Sequence, residues 1–101
     1  MDFIVIAQDA TDPGALERRL AARPDHLAYI ETHRHRVKMG VATLDDTGTM
    51  NGSVMLLRVD SREALDRWLA SEPYVLAKVW GTVVVKACSI GPAFRPLFEG
   101  P

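Results

Sequence analysis

The sequence predicts an α+β domain of ferredoxin-like order, β-α-β-β-α-β, built on an antiparallel sheet. Short runs dense in β-branched and apolar residues recur at Asp2–Asp9, Val41–Leu44, Ser53–Val59 and Gly81–Ser89, each bounded by turn formers. Apolar residues at helical spacing fill the intervals after the first and third runs. Asp45-Asp46-Thr47-Gly48 separates the second and third runs as a turn. This order places both helices on one face of the sheet. A length of 101 residues fits one domain, so 1–101 is read as a single unit, with 91–101 an extended tail.

The elements follow from local chemistry. Asp12-Pro13 reads as a helix start, with Asp as N-cap and Pro at the first helical position. Ala15, Leu16 and Leu20 continue at helical spacing. Pro24 disfavours helix at Arg23 and predicts a break, with a second helical segment from Pro24 to about Lys38. Gly40 is the expected stop. Further on, Asp60 as N-cap with Glu63 resembles a capping box. Leu65, Trp68 and Leu69 form the buried stripe of that helix, and Pro73 stops or restarts it. The tail carries Phe94, Leu97 and Phe98, available to dock on a partner subunit.

Composition narrows the function. With 12 basic and 13 acidic residues there is no basic excess for a nucleic acid. The run His33 to Lys38 reads as a solvated helix end. Phe3-Ile4-Val5-Ile6-Ala7 is too short to span a membrane or serve as a secretory core. A single cysteine, Cys88, allows no internal disulfide, so a reducing cytoplasm is expected. Within its apolar run that thiol is expected to be buried and inert.

Phe3-Ile4-Val5-Ile6, Val54-Met55-Leu56-Leu57 and Val83-Val84-Val85 are apolar at both parities. Helices on one side cover one parity only. An uncovered apolar face exceeds what soluble monomers expose, which predicts a homodimer closed over the sheet.

His26 is the leading candidate for chemistry. At about 100° per residue, His26, Ile30, His33 and Val37 share one stripe of the predicted helical segment. Placed near that segment's N-terminus, its imidazole would be held neutral, as a general base requires. The competing explanation is a buried histidine satisfied by a backbone carbonyl. His33 and His35 point to different sides of a helix, and His26 and His33 lie about 10 Å apart along it, so no metal site is expected. Asp45, Asp46 and Glu72 are the carboxylates that could orient His26. Tyr74 offers a phenolic hydroxyl. Ser53 has no visible partner for a nucleophilic triad. An aromatic content of 7% gives little support to a flavin or haem cage, and no cofactor is expected.

The opening strand, Ala15-Leu16-Glu17-Arg18-Arg19-Leu20, Arg23-Pro24-Asp25-His26-Leu27, Gly52-Ser53 and Glu72-Pro73-Tyr74-Val75 together resemble the YciI-like family over nearly the whole chain. The resemblance implies a ferredoxin-like fold, a dimeric α/β barrel, and a site of His26 with an acidic neighbour. Glu72 stands where the family usually has Asp, and its carboxylate reaches one methylene further. Gly40-Val41-Ala42-Thr43-Leu44 lacks the family's Gly-Pro after the second strand. Lys78 stands where a small residue is common and would add a cation near the pocket. One enzymatic type in the family is a dehydrochlorinase for a chlorinated hydroxyhydroquinone; muconolactone isomerases share the barrel plan.

The function expected is cofactor-free proton abstraction from a small cyclic, acidic substrate, with possible loss of chloride. His26 serves as base or shuttle. Asp45, Asp46 or Glu72 orients it, and Arg23, Ser53 or Tyr74 binds a phenolate or carbonyl oxygen. A non-catalytic small-molecule sensor, an isomerase and a cofactor-independent oxygenase are the alternatives, since fold alone does not choose among them.

Overall fold

The computed structural model describes residues 1–99 of the chain; the last two positions of the predicted tail lie outside them. Strands β1 (Asp2–Asp9), β2 (Val37–Leu44), β3 (Met50–Arg58) and β4 (Trp80–Cys88) form one antiparallel sheet in the order β2-β3-β1-β4. Helix α1 (Ala15–Thr32) follows β1, and α2 (Arg62–Ala70) and α3 (Pro73–Leu76) follow β3. This is the expected ferredoxin-like plan. The most apolar strands, β1 and β3, take the centre, where every backbone group can pair.

The sheet stays open. Four strands in the order β2-β3-β1-β4 leave β2 and β4 as edges, so the α/β barrel implied by the family resemblance is not formed. A closed barrel with a side-chain-filled interior takes about eight strands.

Pairing of Phe3 with Leu57, Val5 with Met55 and Ala7 with Ser53 sets the buried face. It packs on Leu65, Trp68, Tyr74 and Val79 to make the core. The opposite face aligns Ile4 with Leu56, Ile6 with Val54, and Val54 with Val41. On that face Ile6, Val84 and Val41 are 38%, 47% and 52% exposed. The two-sided apolar sheet expected from the sequence is therefore present.

Helix α1 runs unbroken through Pro24, contrary to the expected break. Pro24 and Leu20 both lie on the exposed side, where water satisfies the carbonyl that a proline cannot. The inward stripe is Ala15, Arg19, Ala22, His26, Tyr29, Ile30 and His33. His26 is therefore well inside an 18-residue helix and not at a helix N-terminus. The helix also ends earlier than expected. His33 is its C-cap, and bonds from Arg36 N and Val37 N to His33 O turn the chain into β2. Val37 thus faces Leu57 from a strand, and Gly40 is inside β2. The basic run is an exposed turn, save half-buried His33 and Lys38 and buried Val37.

Ser61, not Asp60, caps α2, its hydroxyl accepting from Ala64 N at 3.1 Å. Pro73 restarts the helix after the extended Glu72, the conformation a residue before proline favours. α3 closes through Lys78, a non-glycine residue at φ 57°, which lets Val79 N reach Tyr74 O at 2.9 Å. The side chain of Lys78 is exposed and lines none of the cavity described below, so the expected cation is absent there. Lys78→Gly removes the left-handed strain of a Cβ and is expected to stabilise the fold by about 1 kcal/mol. For a domain of this size that raises Tm by roughly 4–8 °C, measurable by thermal unfolding.

Candidate active site

Three side chains from two short segments form one packed unit. His26 on α1 places Nδ1 2.8 Å from Glu72 Oε1. The same oxygen accepts the Tyr74 backbone N–H at 3.0 Å. The Tyr74 ring stacks on the imidazole with centroids 3.9 Å apart and planes 11° apart. Glu72 is fully buried and the His26 side chain is 12% exposed. A carboxylate facing Nδ1 makes Nδ1 the N–H donor and leaves Nε2 as the acceptor. Nε2 has no partner among the described residues, and His26 lines a cavity of about 220 Å³ between α1, β2 and β3. A cavity of about 150 Å³ accepts benzene, so one substituted ring fits. Burial pushes the Tyr74 phenol above its ordinary pKa, against the opposing pull of the Arg19 and Arg23 cations, and so keeps its O–H protonated.

Behind this unit lies an ion pair that sequence reasoning missed. Arg19 is 1% exposed. Its Nε and Nη2 grip Asp9 Oδ2 and Oδ1 at 2.8 and 3.1 Å. Nη2 also donates to Gly52 O and Ser53 Oγ, each at 2.8 Å. The guanidinium lies 4.6 Å over the Tyr74 ring, and Ser53 Oγ further accepts Trp80 Nε1 at 3.3 Å. The available signal was spacing: Arg19 lies seven residues before His26, on the same helical stripe.

The structure brings Arg23, His26, Ser53 and Tyr74 together on the cavity wall, with Glu72 directly behind His26. It does not bring in Asp45 or Asp46. Both lie exposed in the β2–β3 turn and neither lines the cavity. Asp45 instead accepts from Thr47 Oγ1 and the Thr47 and Thr49 amides, and these bonds, the Thr47 hydroxyl foremost, hold its carboxyl below the ordinary range. Among the described residues, Trp68 Nε1 and Glu72 Oε2 are buried polar atoms with no hydrogen-bond partner. Cys88 is half-buried at the end of β4 rather than fully enclosed. Desolvation, then Asp2, pushes its thiol pKa up, which disfavours a nucleophilic thiolate. Among the described residues, no group of three His, Cys, Asp or Glu side chains could hold a metal ion, and no helix is long and apolar enough to cross a membrane.

A ferredoxin-like sheet carrying a buried histidine–carboxylate pair beside a ring-sized cavity defines the class: a fold with a site suited to acid–base chemistry. The family model of the YCII-related domain matches residues 1–89, and the chain belongs to that family. It is 33% identical over 94 residues to Protein YciI of Escherichia coli and 32% identical over 94 residues to an uncharacterized protein of Haemophilus influenzae; each match covers 85% of this chain and 94% of the relative. Among solved structures, 5-chloro-2-hydroxyhydroquinone dehydrochlorinase of Burkholderia phenoliruptrix, in complex with 2,5-dihydroxybenzoquinone, superposes with a TM-score of 0.81 at 24% identity, covering 92% of this chain and 98% of that one. A dimeric ferredoxin-like protein of unknown function from Jannaschia gives 0.53 at 11% identity, covering 88% and 98%. These two likenesses establish the fold.

Removing one partner of a buried ion pair strands the other charge. Arg19→Gln alone is expected to cost about 3–5 kcal/mol in urea unfolding, whereas Asp9→Asn combined with Arg19→Gln recovers much of that loss.

Proposed function

We propose that the chain is a cofactor-free acid–base enzyme acting on a small, acidic, ring-shaped substrate, with elimination of HCl from a chlorinated hydroxyhydroquinone as its specific reaction. One observation carries the reading: the 2.8 Å His26 Nδ1–Glu72 Oε1 contact fixes the tautomer that leaves Nε2 as a base beside the cavity. In this mechanism the ring reacts as its keto tautomer, in which a hydroxyl proton has moved to the chlorinated carbon. Nε2 takes the proton of another ring hydroxyl, and the O–H electron pair becomes a C=O bond. The adjacent ring double bond shifts to the CHCl carbon, and chloride leaves with its own bonding pair, giving a hydroxyquinone. Glu72 stabilises the imidazolium that forms. Ser53, Tyr74 and Arg23 bind the substrate's oxygens. The dehydrochlorinase whose fold this chain shares was solved with a quinone bound, which supports a ring as the occupant.

The apolar sheet face supports a homodimer in which two copies cover each other, with the tail residues Phe94 and Leu97, 59% and 75% exposed, docking on the partner. The cytoplasm, where Cys88 stays a thiol, is the compartment proposed.

Incubation with 5-chloro-2-hydroxyhydroquinone while chloride is monitored tests the reaction. His26→Ala and Glu72→Gln are each expected to lower turnover by about 10²- to 10⁴-fold. Binding without chloride release would return the chain to a sensing role, and oxygen uptake in its place would assign an oxygenase. Ile6→Glu, which buries a charge in the paired faces, is expected to halve the mass seen by sedimentation equilibrium; a native chain already monomeric in dilute solution would overturn the dimer.

A further inference from the structure

The polar atoms on the inner wall of the cavity divide sharply into donors and acceptors. A serine hydroxyl has one hydrogen to give and two lone pairs to offer. Both acceptor directions of Ser53 Oγ are occupied by groups that can only donate, Arg19 Nη2 at 2.8 Å and Trp80 Nε1 at 3.3 Å. Its own hydrogen is therefore obliged to leave in a third direction, and no acceptor for it exists among the described residues. Tyr74 is in the same position. Its oxygen receives Arg19 Nη1 at 3.5 Å, and its hydrogen has no protein acceptor among them either. Arg19 completes the set. Asp9, Gly52 O and Ser53 consume the Nε and Nη2 side of the guanidinium. The Nη1 end meets only the distant Tyr74 oxygen and Met50 Sδ at 4.0 Å, both poor acceptors at those lengths.

We infer that this wall is an oxyanion site, in which Ser53 O–H, Tyr74 O–H and Arg19 Nη1 together hold a negatively charged oxygen on the substrate ring. Two further features fit. The cavity lining contains two guanidinium groups, Arg19 and Arg23, and no carboxylate. Asp9 grips the opposite edge of Arg19, so an anion at Nη1 meets the cation first and the compensating charge second. Across the cavity wall, His26 Nε2 is an acceptor, held against Tyr74 by the ring stack. Donors and base thus meet the same ring. When the base removes the proton of a ring hydroxyl, charge develops on the ring oxygens, and preorganised donors there lower the barrier. The inference rests on the acid–base reading for the reaction and adds the groups that hold the charged ring oxygen, Arg19 among them, which favour a phenolate or enolate over a neutral ether or amide.

Benzoate and benzamide share shape and differ in charge. Calorimetric titration of each into the full chain reads the site without turnover. Benzoate is expected to bind at least about 10-fold more tightly than benzamide, and Ser53→Ala to weaken benzoate by about 10-fold, as befits a lost hydrogen bond to a charge. Asp9→Asn with Arg19→Gln should erase the preference; if that variant fails to fold, Ser53→Ala still decides. His26→Gln should keep the preference for benzoate while abolishing turnover. Equal binding of the two probes, or a Ser53→Ala protein that holds benzoate as tightly as the native chain, overturns the oxyanion site. A His26→Gln protein with native turnover overturns the acid–base reading instead and leaves the oxyanion site standing.

Discussion

The buried contact between Arg19 and Asp9 governs how the helix layer meets the sheet. Taking both charges out of water costs several kcal/mol per ion, which the pair recovers only with good geometry and further hydrogen bonds. Here the grip is bidentate, at 2.8 and 3.1 Å, and the guanidinium also spans to Gly52 O and Ser53 on β3. One side chain of α1 therefore ties both central strands and sets the position of the helix along the sheet. His26 stands seven residues further, two turns and about 10 Å along the axis, so the same contact decides that His26 arrives opposite Glu72. Gly52 is part of this arrangement. A Cβ there would come within 2.5 Å of Thr43 Oγ1 and 2.6 Å of Ala7 O, forcing apart strands whose register places the accepting carbonyl.

Much of the fold was legible because its determinants are local. The β-branched runs and the Asp45–Gly48 turn mark the strands, and the capping chemistry around Ser61 marks α2 to within one residue. Pro24 was misread because its cost depends on which side of the helix it occupies. On the outside, water replaces the missing bond, and outside is a tertiary fact. The early exit of α1 at His33 has a similar cause: Val37 gains more by entering the core as a strand residue, 4% exposed, than by extending an exposed helix. Barrel closure came from the family resemblance rather than from any residue, and the strand order contradicts it.

The candidate site was legible in part, and the division is instructive. His26, Tyr74, Ser53 and Arg23 stand out as chemistry-bearing residues in otherwise apolar or helical surroundings, and the structure places them on one wall. Choosing among Asp45, Asp46 and Glu72 required knowing which loop lies near α1. Asp45 satisfies its own turn through Thr47 and Thr49, which is the ordinary use of aspartate in such loops. Arg19 escaped notice because it sits in a run with Glu17 and Arg18 that looks like a solvated helix face. Arg18 does lie there, paired with Asp12 at 2.7 Å. Only the helical phase distinguishes the two arginines, and the stripe through Ala15, Ala22 and His26 passes through Arg19.

The longer acid at position 72 serves two roles with one oxygen. Glu72 precedes a one-turn helix and accepts Tyr74 N–H as its cap, and the same Oε1 receives His26 Nδ1–H. Its side chain folds back over its own following turn and also reaches α1. Since Tyr74 supplies the capping N–H and also the ring stacked on His26, a shift of the carboxylate would disturb the cap, the stack and the imidazole together. Such coupling holds the base in place before any substrate arrives, which is where preorganised sites gain their advantage. Among the described residues, the other oxygen, Oε2, has no hydrogen-bond partner. Glu72-Pro73-Tyr74 thus acts as one rigid piece that orients the base, and the phase of α1 under Arg19 decides whether the base meets it.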